Sequence, residues 1–244
     1  FINGRFWIID TAAGTGRDIG KGQPGLGQIN QIVWDAPTGR LLMASYATAS
    51  VMSFDPGKPY EFGVNPRLAG SASAEEQMRP TRSLHDGRYL WMATNAEYGK
   101  LGGALSRIDP RNDTIVVRRG IVPDQNIVSM ALDTARRRVI VGSFIHADCR
   151  SAPPRAATAE LAAFDMDALR VTARRPLPGG AEFANVWTVL EDGDALVTDD
   201  RRLWRWSPDR GDLVEMAWTP TILTGVAVDG RGTIWIGYAD GIGR

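Results

Sequence analysis

The chain has 244 residues and carries 28 Lys and Arg against 28 Asp and Glu, a formal net charge of zero. That balance argues against nucleic acid as a partner, because such binding leaves a basic excess or a basic stripe. No apolar run reaches the ~20 residues of a membrane-spanning helix, and the single cysteine, Cys149, excludes an internal disulfide and any Cys-based metal cluster.

Taken in order, the chain keeps returning to one strand type that stops at a corner. "GRFWIIDT" (4–11) comes first, then "SVMSFDP" (50–56), "ALSRIDP" (104–110), "ELAAFDM" (160–166) and "RLWRWSP" (202–208). Apolar residues alternate, then Asp or Ser meets a turn residue. Before each of the last four lies a pair of alternating segments around a polar turn: "INQIVWDAPTGRLLMASY", "TRSLHDGRYLWMAT", "NIVSMALDTARRRVIVGS" and "NVWTVLEDGDALVTD". A fifth pair, "LTGVAVDGRGTIWIGY", comes last, and short strands such as "TIVVRRGIV" and "LRVTARRPL" follow the corners.

The repeating unit is therefore four strands, A to D, with a period of ~40–55 residues and no helical periodicity, which is the signature of a β-propeller blade. The fold predicted is all-β: a β-propeller of four-stranded antiparallel blades with five blade units. The sequence reads as a single domain, residues 1–244. The C strand of one blade lies within 1–26, and blades follow at about 27–70, 71–122, 123–180 and 181–219. The A and B strands of the last blade fall in 220–244. Pairing residues 4–10 with 233–238 would close a five-bladed ring; otherwise the five units are part of a larger propeller. The start at Phe1 reads as a processed form or a piece of something longer. Trp7, Trp34, Trp91, Trp187 and Trp235 are expected in the packing between blades, and the Arg136–Arg138 cluster in a solvated turn.

Two stretches carry a family resemblance. "GVAVDGRGTIWIGYADGIGR" resembles the repeat of periplasmic two-component-regulator propellers, with Tyr238 where those carry Thr. The longer run "EEQMRPTRSLHDGRYLWMATNAEYGKLGGALSRIDP … VPDQNIVSMALDTARRRVIVGSFIHADCRSAPPRAATAELAAFD" is similar to bacterial YVTN/PQQ-like propeller proteins of unassigned activity. In those, a Tyr-Gly…Gly-Gly-Ala-Leu loop precedes Pro-Asp-Gln and a long insertion. The resemblance implies the fold and a secreted or periplasmic location; a shared fold does not transfer chemistry.

In a blade, D–A and B–C connections open on one face. The B–C connections are very unequal, and "NAEYGKLGG" (95–103) and "FIHADCRSAPPRAAT" (144–158) are far longer than a turn needs. These loops supply Glu97, Tyr98, Lys100, His146 and Arg150. The D–A connections add Gln28 and Asn30, Gln77 and Arg79, then Asp124, Gln125 and Asn126, and finally Glu182 and Asn185. Either the amides satisfy backbone groups between blades, or they ring a polar ligand. His85 falls in an A–B turn on the other face and reads as solvated.

Four functions fit this set: a binding module whose polar face takes a carbohydrate-like small molecule or glycan; a polysaccharide lyase acting by β-elimination on a uronate, with Arg79 or Arg150 neutralising the carboxylate and His146 and Tyr98 as base and acid; a two-carboxylate hydrolase using Glu97 with Asp124 or Asp148; and a protein-interaction propeller. The binding module is the leading reading. No cofactor or metal motif is present in the sequence.

Overall fold

The computed structural model describes residues 6–20, 28–219, 221–239 and 241–243. The described residues are all-β apart from three short 3-10 turns. It divides into two compact units, 1–94 with 106–117, and 95–105 with 118–244.

In the first unit, β1 (Phe6–Asp10) and β2 (Thr15–Gly20) form a two-stranded hairpin. A four-stranded antiparallel sheet follows, made of β3 (Gln28–Asp35), β4 (Arg40–Tyr46), β5 (Ser50–Phe54) and β6 (Arg67–Ser71) in sequence order. The next sheet has the same order: β7 (Gln77–His85), β8 (Leu90–Ala96), β9 (Ala104–Asp109) and β10 (Thr114–Arg119). The two-residue period of β4 sorts its side chains to opposite faces. Leu42 and Ala44 join Val51, Leu90, Met92 and Ile108 in one core, and Met43 joins Met52 and Phe54 in another.

The second unit holds β11 (Asn126–Asp133), β12 (Arg138–Phe144), β13 (Glu160–Asp165) and β14 (Arg170–Pro176) as one sheet. Beside it lie β15 (Asn185–Val189), β16 (Ala195–Thr198), β17 (Arg202–Trp206) and β18 (Leu213–Trp218). The last sheet is β19 (Leu223–Val228), β20 (Ile234–Tyr238) and β21 (Gly241–Gly243). Ile140, Leu161 and Ala163 of one sheet pack with Val186, Val197, Trp204 and Trp206 of the next. Each large apolar side chain buried in this way stabilises the fold by about 1.5–3 kcal/mol.

The recurring corner has a local cause. Asp10, Asp55, Asp109 and Asp165 each turn Oδ1 back to accept backbone N–H groups two or three residues on, at 2.7–3.0 Å. An Asp in that position offers the chain a ready-made turn. A second device recurs in hairpins: Asp86, Asp199 and Asp229 cap their turns through Oδ1. Through Oδ2 they accept the indole N–H of Trp91, Trp204 and Trp235, at 2.8, 3.1 and 3.0 Å.

Several expectations are corrected. β20 pairs with β19 on one side and β21 on the other, so the edge expected to receive residues 4–10 is occupied. β1 pairs instead with β2. Residues 1–5 lie outside those described. The pairing of β1 with β20 is therefore not found among the described residues. Of the five tryptophans expected in the packing, Trp91 is buried, whereas Trp7, Trp34 and Trp235 are 55%, 51% and 41% exposed and Trp187 is half-buried. Trp204 and Trp206 are in the core instead. His85 is no solvated turn residue. Its Nδ1 accepts the Gly87 N–H at 3.1 Å, and its Nε2 lies 3.2 Å from Oδ1 of the buried Asp35. Arg138 is buried too, bonded to Asp133, Asp209 and the Gly193 carbonyl at 2.7–3.0 Å.

Candidate functional site

The second unit brings its D–A and B–C connections to one face through backbone bonds. Gly103 N–H donates to Gln125 O at 2.9 Å, Ile145 N–H to Glu182 O at 3.0 Å, and Leu223 N–H to Asp200 O at 2.9 Å. A–B turns lie at the other end of the same strands. β12 alone, seven residues from Arg138 to Phe144, separates Arg138 from the His146 loop by about 20 Å at strand rise.

The two long loops are tied to each other. Asn95 Nδ2 donates to Asp148 Oδ1 at 3.2 Å, and Gly99 N–H donates to Ser151 Oγ at 2.8 Å. Asn126, fully buried at the start of β11, serves both roots: Oδ1 accepts Ala96 N–H at 3.0 Å and Nδ2 donates to His146 O at 2.9 Å. Around this junction Asp124, Cys149 and Arg150 all take left-handed φ angles of 52–55° without being glycine. Such residues persist only where the surroundings hold them.

Arg150 is the centre of a small charged cluster. Its Nη1 reaches His146 Nε2 at 2.7 Å and its Nη2 donates to Glu182 Oε2 at 2.6 Å. Glu182 Oε1 also lies 3.2 Å from His146 Nε2. A single ring nitrogen cannot accept from Arg150 and donate to Glu182 at once, so the His146 proton selects between them. The Arg150 hydrogen bond, and after it the His146 contact, hold the Glu182 carboxyl below the usual carboxylate range.

The seam beneath is tight. A Cβ on Gly142 would stand 2.1 Å from Ala184 O and 2.6 Å from Ser129 Oγ. Ser129 Oγ donates to that same Ala184 carbonyl and accepts Val186 N–H, at 2.8 and 2.9 Å. Only glycine admits the D–A connection this close to β12.

An open cleft of about 440 Å³ adjoins the cluster, lined by residues 178–183, 199–202 and Trp218. Glu182 forms part of its wall. The Asp200 and Arg201 side chains are exposed there without a partner among the described residues, and Trp218 is 58% exposed.

The residues expected from the sequence divide between the units. In the first, Gln77 is buried, accepting from Thr94 Oγ1 at 2.7 Å and donating to Glu75 O at 3.1 Å. Asn30 donates to Pro80 O at 3.2 Å, Arg79 stacks 4.2 Å over the Tyr46 ring, and Gln28 sits half-buried opposite Tyr46. In the second, Gln125 is buried against Ser143 Oγ and Thr158 O, at 2.5 and 3.1 Å. Glu97 pairs with Lys100 at 2.8 Å, and Asp124 with Arg155 at 3.5 Å. Half-buried Asn185 lies opposite Thr198. Tyr98 is half-exposed, with its Oη 4.0 Å from Cys149 Sγ.

The buried glutamines thus satisfy the fold, each on a hydroxyl near the end of strand B. His146 and Arg150 come together, with Glu182 as the partner that sequence reasoning left out of the site. The sequence places Glu182 and Asn126 in the D–A frame beside Gln77 and Gln125, without counting either among the site residues. Among the described residues no group of three His, Cys, Asp or Glu side chains could hold a metal ion, and no helix is long and apolar enough to cross a membrane.

No protein-family model matches the sequence, so the YVTN/PQQ-like resemblance gains no support, and no curated protein matches it either. Solved structures do match. The WD40 β-propeller domain of Doa1 is similar over 98% of this chain and 83% of its own, at 18% identity and TM-score 0.51. The Dos1 propeller is similar over 96% of this chain and 60% of its own, at 14% identity and TM-score 0.64. The extracellular domain of BT4673 from B. thetaiotaomicron is similar over 88% of this chain but only 26% of its own, at 15% identity and TM-score 0.52. The chain therefore spans less than two thirds of the last two. At these identities the likeness carries the fold alone: this chain is built of β-propeller blades.

Proposed function

We propose that this chain is a ligand-binding module, and that the D–A/B–C face of its second unit holds a polar, carbohydrate-like ligand in the cleft beside Glu182. One observation carries the reading: Trp218, half-exposed, shares the cleft with the unpartnered Asp200 and Arg201 side chains. An aromatic plane suits the apolar face of a sugar ring, and a few placed polar groups suit its hydroxyls. The loops lashed together through Asn126 fix this face before a ligand arrives, which lowers the ordering cost of binding.

Elimination finds less support. It needs a cation for the uronate carboxylate and a base for the α-proton. The cations expected for that role are engaged: Arg150 with Glu182 and His146, and Arg79 with the Tyr46 ring. Glu97 is paired with Lys100.

The test is calorimetry against neutral oligosaccharides, with ultraviolet and reducing-end assays run in parallel. Saturable binding that Trp218→Ala weakens about 10-fold or more, the scale of one lost aromatic contact, supports the reading. Binding untouched by Trp218→Ala, or product in either assay, removes it.

A further inference from the structure

The A–B turns lie at the far end of the strands from the Glu182 cleft, and two of them frame another groove within the second unit. It measures about 800 Å³ and opens between the turn joining β15 to β16 and the turn joining β19 to β20. Val189, Leu190, Met216, Val228 and Ile234 give it an apolar floor. Much of that floor is held from beneath, since Leu190, Val228 and Ile234 pack on the core of Leu196, Leu203, Leu223 and Ile236. Met216 is 44% exposed, and an unbranched thioether adapts to the side chain it meets.

Five charged residues line the groove, and three of them are engaged. Asp192 pairs with Arg205, which also donates to Asp194 at 2.7 Å. Asp229 caps its own turn and accepts the Trp235 indole N–H. One acid and one base remain. Glu191 stands on the first turn and Arg231 on the second; both are exposed, and neither side chain has a partner among the described residues. Arg136 reaches Glu191 through the backbone carbonyl, at 3.2 Å, and has Asp133 as its own counter-ion. At Gly230 and Gly232, on either side of Arg231, a Cβ would meet nothing within 4 Å, so nothing crowds that turn.

We infer that this groove binds a short apolar peptide with both termini free, its ammonium at Glu191 and its carboxylate at Arg231. A guanidinium fork takes a carboxylate through two parallel bonds, and an ammonium brings three donors to a carboxylate. The apolar floor buries the peptide side chains and supplies most of the affinity, because exposed ion pairs add little each. The two charges act mainly on selectivity: a ligand of a single sign meets a like charge on one turn. A volume of about 800 Å³ lies within the range of ligand sites and exceeds what one amino acid fills, so two or three residues are the fitting length. The groove stands apart from the cleft proposed for a carbohydrate and does not rest on that reading.

The test is calorimetry with leucyl-leucine as the probe, beside its N-acetyl form, its C-terminal amide and glycyl-glycine. Leucyl-leucine should bind saturably, and glycyl-glycine about 10-fold or more weaker for want of apolar side chains. Blocking either terminus should cost about 3- to 5-fold, the scale of one exposed ion pair. Glu191→Gln should weaken leucyl-leucine by that factor and leave the N-acetyl form unchanged. Arg231→Gln should do the same for the free carboxylate and leave the amide unchanged. Both substitutions fall on exposed turn side chains, so the fold is kept. Trp218→Ala should leave leucyl-leucine binding intact, so this groove and the carbohydrate cleft fail separately. Equal binding of the doubly free and the blocked peptides overturns the inference in favour of an internal peptide segment. Absence of leucyl-leucine binding, equal binding of glycyl-glycine, or selectivity untouched in both variants overturns it outright.

Discussion

Asn126 holds the backbone of His146: its Nδ2 donates to the His146 carbonyl at 2.9 Å while its Oδ1 accepts Ala96 N–H at 3.0 Å. One buried amide therefore fixes where both long loops leave their strands. Asn126→Ala should destabilise the protein by about 2–4 kcal/mol, because it leaves a buried N–H and a buried C=O unpaired. Denaturant titration measures the loss. Hydrogen exchange should rise in residues 97–103 and 145–151 together; a rise in one loop alone would mean that Asn126 does not couple them.

Gly142 tests the seam between the sheets. Gly142→Ala drives a Cβ to 2.1 Å from the Ala184 carbonyl oxygen, a backbone atom that cannot swing aside. A loss of about 3 kcal/mol or more is expected. Gly211→Ala is the control: φ is +76° and nothing lies within 4 Å, so only left-handed strain of about 1 kcal/mol applies. Equal losses at the two positions would show that β12 and the D–A connection have room to part.

The Glu182 carboxyl supplies a pH test. Its pKa is lowered in the folded protein, first by the Arg150 hydrogen bond and then by that of His146. A carboxylate depressed on folding contributes stability that is fully present above its unfolded pKa. That contribution is lost as pH falls through the folded value. Protection of residues 145–151 should thus persist at neutral pH and fade in acid below the ordinary carboxylate range. Carbon-detected NMR of the Glu182 carboxyl follows the titration directly, and Arg150→Ala should move its midpoint upward.

The Asp–Trp staples differ in burial and so in cost. Trp91 is buried with Nε1 on Asp86, whereas Trp235 is 41% exposed with Nε1 on Asp229. Trp91→Phe should cost about 2–4 kcal/mol, from a lost bond to a charged group and a cavity, and Trp235→Phe under about 1 kcal/mol. The indole bond is the first cause of the lowered Asp229 pKa. Trp235→Phe should therefore raise that pKa toward the ordinary Asp range, a shift visible by NMR even where stability barely changes.

Most of the architecture was legible before any coordinates. Corner aspartates act through hydrogen bonds two or three residues long, and strand alternation is a property of neighbours, so "SVMSFDP", "ALSRIDP" and "ELAAFDM" announce the same structure wherever they occur. The excess length of residues 95–103 and 144–158 likewise marked them as more than turns, because turns need fewer residues. What the local pattern does not contain is partnership across tens of residues. Whether the last strand pairs with residues 4–10 or with Gly241–Gly243 depends on which edge competes better, and both segments alternate acceptably. Trp91 and Trp235 occupy the same frame in similar hairpins, yet only a neighbouring sheet decides which is buried. Gln77 and Gln125 are polar by composition and structural by burial, each claimed by a hydroxyl 17 or 18 residues away. Arg150 meets Glu182 across 32 residues, a pairing set by the packing of two sheets and therefore decided by the tertiary structure alone.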